Sequence, residues 1–201
     1  IPANYTVDDM SGKARCKEEL QKELGLEVKA DVPVISLITR LSNQKGLDLI
    51  DRVIGEIMEE DVQLVVLGMG DARYVNLFSW AEQHYPGRVA ARFRMDGALA
   101  HRIYAASDMF LMPSQFEPCG LSQMIALRYG TLPIVRETGG LKDTVAPYNK
   151  YTGEGNGFSF ANYDAAELAN TIGLALECWE DKAVMKQLIS QAMQTDFGFE
   201  L

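Results

Sequence analysis

"PVISLITRLSNQKGLDLIDRVIGEIMEEDVQLVVLG", residues 33–68, decides the fold. It opens on a short, continuous, β-branched apolar run at 33–41. Such a run, without polar alternation, reads as a strand buried on both faces. Residues 46–60 change to a helical period, and 62–68 form a second buried run. Strand, helix and strand in this order predict a βαβ unit in a parallel sheet.

The alternation continues on both sides. An amphipathic helix is predicted over 10–24, closed by Gly25. Further helices are predicted over 71–85, 98–107 and 119–129, and strands over 88–94, 108–112 and 131–135. "GGLKDTVAP" (139–147) reads as a short helix stopped by Pro147, and "YNKYTGEGNG" (148–157) as a polar, glycine-rich, mobile loop. A last short strand at 157–160 precedes helices over 164–178 and 182–193. The predicted fold class is α/β, a doubly wound parallel sheet covered by helices, with all of 1–201 in one domain.

The bulk numbers narrow the function. Hydrophobic residues make up 47% and charged residues 23%, the balance of a soluble globular chain. A net charge of −9 repels phosphate backbones, which argues against nucleic acid as a partner. A phosphate ligand would need a local basic pocket. No apolar run approaches the roughly 20 residues of a membrane span, so no membrane partner is expected. Cys16, Cys119 and Cys178 are widely spaced and form neither a metal-ligand pattern nor a disulfide framework, so a reducing cytoplasm is expected.

In doubly wound sheets, ligands bind beyond the carboxyl ends of the strands. The first strand ends in "TRLSNQKG", with Arg40 and Lys45 at a turn that Gly46 leads into a helix. Two cations there suit a diphosphate; two solvated loop charges are the plainer reading. The second ends in "LGMGDARY", where Gly68 and Gly70 begin a dinucleotide fingerprint that Arg73 breaks, leaving a tight turn. The fourth ends in "PSQFEPCGLSQ", residues 113–123. Glu117 stands on a bend between Phe116 and Pro118, and Gly120 permits close backbone approach. A helix start at 119–122 would point N–H groups at the same crevice, and small-residue packing suits Cys119 better than a nucleophile's role. The fifth ends in "RETGGLKDTV", where Gly139 and Gly140 suggest a second anion site at a helix start. His84 and His101 fall in helical stretches and read as structural.

Together "TRLSNQKGLDLI", "LAHRIYAASD", "PSQFEPCGLSQ" and "RYGTLPIVRETGGLKDTV" resemble the C-terminal domain of bacterial glycogen synthases and plant starch synthases, over nearly the whole chain. The resemblance implies the C-terminal, Rossmann-like half of a two-domain GT-B glycosyltransferase. It implies retaining transfer of glucose from ADP-glucose to an α-1,4-glucan acceptor, without a cofactor or metal. Arg40 and Lys45 then correspond to the cations facing the donor diphosphate, and Glu117 to the acid facing the donor glucose. Cys119 would line that pocket, with Gly120, Leu121, Ser122, Thr138, Gly139 and Gly140 as further donor contacts. Met95 stands where many members carry an aromatic against the adenine. Gln115 replaces a common arginine, and Phe199 replaces a usual tryptophan.

The resemblance further implies a missing N-terminal domain that holds the acceptor, so the isolated chain is expected to be inactive. The compartment implied is the bacterial cytoplasm or a plastid. Three rival readings stand beside it: a related retaining enzyme that uses a UDP-sugar, a non-catalytic nucleotide-binding module, and a flavodoxin-like receiver or scaffold, for which only Asp71 and Glu117 approach the acid cluster needed at strand ends.

Overall fold

The computed structural model describes residues 1–117 and 120–195. Six strands form one sheet: β1 (Val34–Ile38), β2 (Gln63–Leu67), β3 (Val89–Arg92), β4 (Met109–Met112), β5 (Leu132–Arg136) and β6 (Phe158–Phe160). Every pairing is parallel, in the order β3-β2-β1-β4-β5-β6. The helices are α1 (Ser11–Leu24), α2 (Leu47–Ile57), α3 (Ala72–His84), α4 (Gly97–Ala106), α5 (Ser122–Arg128), α6 (Gly139–Thr144), α7 (Ala165–Trp179) and α8 (Lys182–Met193).

The strands are apolar on both faces because both faces are covered. Successive residues go to opposite cores, as the period of two requires. Leu64 and Val66 join the core beneath α2, α3, α7 and α8, while Val65 and Leu67 join the core beneath α1 and α4. The amphipathic α2 buries Leu47, Leu49, Ile50, Val53, Ile54 and Ile57 on one side. Gly25, in the left-handed region at φ 73°, ends α1 as the sequence predicts.

Two expectations need correction. The helix predicted from residue 119 begins at Ser122, with Leu121 in the capping position. The segment at 148–157, expected as a loose loop, is built of hydrogen-bonded turns. Asn149 Oδ1 accepts from the Tyr151 and Thr152 amides, and Asn156 Oδ1 from the Ala146 amide. The Gln191 side chain on α8 bonds to both Gly153 and Gly155. Asparagine and glycine here build hydrogen-bonded turns, which composition alone does not distinguish from a loose loop.

At the amino edge of the sheet lies a buried lysine. Lys13 Nζ donates to Ala105 O (2.9 Å), Tyr129 O (3.0 Å) and Thr131 Oγ1 (2.9 Å), tying α1 to the starts of β4 and β5. Burial outweighs these partners and draws Lys13 down to about 7. Lys17, beside it, pairs with Asp108 at 2.9 Å. Among the described residues, no helix is long and apolar enough to cross a membrane.

Candidate active site

The strand order reverses between β1 and β4, and that crevice is where a doubly wound sheet receives ligands. Two loops flank it. After β1, a short 3-10 turn, Asn43–Lys45, leads through Gly46 into α2. After β4, the chain runs through Pro113 and Ser114 to Glu117. The two loops meet: the Gln115 amide donates to Gln44 O at 2.8 Å. Gly46 explains how they come so close. A Cβ at Gly46 would collide with the Pro113 carbonyl, and its φ of 80° suits glycine alone.

This contact delivers Lys45 to Glu117. Lys45 Nζ stands 2.7 Å from Glu117 Oε2, a pair formed by residues 72 apart in sequence. Both side chains are partly shielded, at 25% and 12% exposure. Ser114 Oγ donates to the same carboxylate oxygen at 3.2 Å, and the Gly140 amide donates to Glu117 O at 3.1 Å. A cation and an acid are therefore fixed side by side at the switch point, on turns rather than on helices.

The other predicted site residues take different places. Arg40 also follows β1, but it is exposed and has no ion pair among the described residues. Gly120 is buried, and a Cβ there would strike the Gln123 side chain, so its close approach is to protein. Leu121 is 55% exposed and Ser122 starts α5. Thr138 stands at the N-cap position of α6 without a side-chain capping bond, and the Gly140 amide is already spent on Glu117 O. The expected second anion site at Gly139 and Gly140 is thus reduced, because that turn holds the Glu117 loop. Met95 is 90% exposed just past β3. Cys119 and Phe199 lie outside the described residues. Gly68 and Gly70 pack against Thr39 and Leu41, in keeping with a tight turn. His84 stacks on Trp80, and His101 Nδ1 is 3.2 Å from the Tyr129 hydroxyl; both sit away from the crevice.

Several residues near the pair carry no role in the sequence analysis. The Asn43 side chain accepts from the Tyr74 hydroxyl. Tyr163, just past β6, reaches over to the Asp48 carboxylate and to Asn43 O. Burial first, and the Asp48 carboxylate second, raise the Tyr163 hydroxyl above its usual range, so it stays a donor. Gln123 Nε2 donates to Thr144 Oγ1 at 3.1 Å, joining α5 to α6. Asn43, Gln123 and Thr144 lie within the quoted motifs as polar residues and Tyr74 ends "LGMGDARY", whereas Tyr163 lies outside them and carries no local signal. Among the described residues, no group of three or more His, Cys, Asp or Glu is placed to hold a metal ion.

Residues 17–192 match the family described as glycosyl transferases group 1. The chain belongs to that family. This group 1 glycosyltransferase is 55% identical over 196 residues to a glycogen synthase of Clostridium perfringens, covering 98% of the chain and 41% of that relative. It is 52% identical over 200 residues to a glycogen synthase of Bacillus cereus, covering 42% of the relative. Among solved structures it resembles the catalytic domain of starch synthase IV from Arabidopsis thaliana bound to ADP and acarbose. That similarity has a TM-score of 0.89 at 37% identity, covering 98% of this chain and 43% of the other. The chain therefore spans about two-fifths of the length of the curated relatives it matches.

Proposed function

We propose that this group 1 glycosyltransferase is the donor-binding C-terminal half of a retaining glucosyltransferase of the glycogen and starch synthase kind. It takes ADP-glucose, and a preceding domain holds the α-1,4-glucan acceptor. The observation that carries the reading is the Lys45–Glu117 pair at the β1/β4 switch point. The similarity to a starch synthase whose solved form holds ADP supports the choice of nucleotide.

In this reading Lys45 and the exposed Arg40 face the diphosphate. Their charge offsets the negative charge that grows on the leaving group as the glycosidic bond breaks. Glu117 faces the glucose, whose anomeric carbon becomes cationic in the transition state, and a fixed carboxylate stabilises that charge. By resemblance, Met95 faces the base.

Calorimetry of the chain with ADP, UDP and ADP-glucose, with and without a divalent cation, tests the assignment. ADP is expected to bind weakly, more tightly than UDP, and equally without metal. Lys45→Ala is expected to lose about 1.5–3 kcal/mol of ADP binding, the size of a charge-assisted contact. Unchanged ADP binding by Lys45→Ala would show that the diphosphate lies elsewhere.

A further inference from the structure

Arg136 ends β5, half-buried, yet it pairs with no carboxylate among the described residues. Its guanidinium grips three main-chain carbonyls instead. Nε donates to Ser114 O at 2.9 Å, Nη2 to Gln115 O at 2.5 Å and Nη1 to Ala161 O at 3.2 Å. The first two belong to the loop that carries Glu117. Ser114, 2% exposed, uses its hydroxyl on the Glu117 carboxylate, and Gln115 uses its amide on Gln44, next to Lys45. Arg136 therefore holds Ser114, which bonds the Glu117 carboxylate, and Gln115, which joins the Glu117 loop to the Lys45 turn.

The third carbonyl closes a ring. Ala161 lies two residues before Tyr163, and the Arg136 guanidinium sits 5.8 Å from the Tyr163 ring centre. Tyr163 in turn reaches Asn43 O, the start of the Lys45 turn. The loops after β1, β4 and β6 are thus joined through one guanidinium fork at the end of β5. Carbonyls in a loop without ladder partners need such donors. A planar fork supplies them at fixed angles, and a lysine ammonium does not.

We infer that Arg136 is a positioning residue, which sets the Glu117 carboxylate beside Lys45 by clamping the loop that bears it. The inference rests on the proposed role of Glu117 in glucosyl transfer. Arg136 acts through the main chain, because its contacts to the loop are all to carbonyl oxygens. Misplacing a catalytic group by about 1 Å can cost on the order of a hundredfold in rate, so a loosened loop would be felt in turnover before donor binding.

The test has two arms. In the chain itself, amide hydrogen exchange is compared between the parent and Arg136→Lys, which keeps charge and length. The Gln115 and Gly140 amides are expected to exchange at least about tenfold faster, with the amides of β1 and β2 unchanged. In the full-length enzyme carrying this chain, Arg136→Lys is expected to lower kcat by about ten- to a hundredfold, with donor KM within about threefold. A cycle with Glu117→Gln then separates positioning from an independent effect. The double variant should be no slower than Glu117→Gln alone. Unchanged exchange at Gln115 and Gly140 overturns the clamp. Multiplicative losses in the cycle overturn the link to Glu117. If Glu117→Gln alone leaves kcat intact, the reading of Glu117 falls, and the exchange arm still decides whether Arg136 holds the loop.

Discussion

Glu117→Gln should tighten ADP binding, the opposite of what removing a contact residue usually does. Lys45 and Glu117 are 2.7 Å apart and partly shielded from water. At an effective dielectric constant of about 20, their gross attraction is on the order of 6 kcal/mol. Much of that is offset by desolvation, and a hydrogen bond to a charged group is worth about 1.5–3 kcal/mol net. A diphosphate seated at Lys45 must compete with this partner and must also sit close to the carboxylate's negative charge. The amide of glutamine keeps the shape and a hydrogen-bond acceptor but removes both penalties. About 1–2 kcal/mol should return to the nucleotide, or roughly five- to thirtyfold in affinity. The assay is calorimetry of the chain with ADP at low and high salt, with adenosine as a control that carries no phosphate. The gain should appear with ADP, shrink with salt as screening predicts, and vanish with adenosine. Equal or weaker ADP binding by Glu117→Gln would refute the placing of the diphosphate at Lys45.

The same variant in the full-length enzyme should lose at least about a hundredfold in kcat, as expected when a major electrostatic group leaves a transition state; initial rates of glucan elongation measure it. Gly46→Ala should destabilise the chain by at least about 2 kcal/mol, because Ala is strained at φ 80° and its Cβ meets the Pro113 carbonyl. Denaturant melts would show this as a fall in midpoint at constant slope. Lys13 supplies a pH test. Its folded value of about 7 lies below the ordinary 10.5, so between those limits the unfolded chain binds more protons and stability rises with pH. Lys13→Met should flatten that rise, as read by denaturant melts from pH 6 to pH 10.

The sheet was legible in the sequence because apolar runs and helical periods are local signals. Strand bounds came out up to three residues off at an end, since runs such as 33–41 continue past the end of β1 at Ile38. The carboxyl edge was legible too: Arg40, Lys45 and Glu117 all lie past strand ends. What no local pattern contains is who pairs with whom. Lys45 was read as a partner for phosphate, and it finds Glu117 across the switch point. The Gly140 amide was read as an anion donor, and it serves the Glu117 carbonyl. Arg136, the first residue of "RETGGLKDTV", was given no role, because its three acceptors are main-chain carbonyls, which every residue has. Such partners depend on loop geometry, and loop geometry depends on contacts distant in sequence.

The pairing also gives the proposed site an electrostatic logic. A chain with net charge −9 opposes the approach of an anionic donor, and an isolated carboxylate beside the diphosphate would oppose it further. Held against Lys45, Glu117 is locally neutralised, while the exposed Arg40 remains as a cation at the same edge. A diphosphate that draws on Lys45 exchanges one anionic partner for another. Glu117 is then less neutralised at the stage when the sugar turns cationic. A carboxylate that costs nucleotide affinity in the ground state and recovers it in the transition state is what differential binding requires of a catalytic group. Tighter ADP binding and slower turnover in one Glu117→Gln variant would thus have one cause. A structural acid that only tied two turns together would instead lose stability when changed, with no gain in nucleotide affinity.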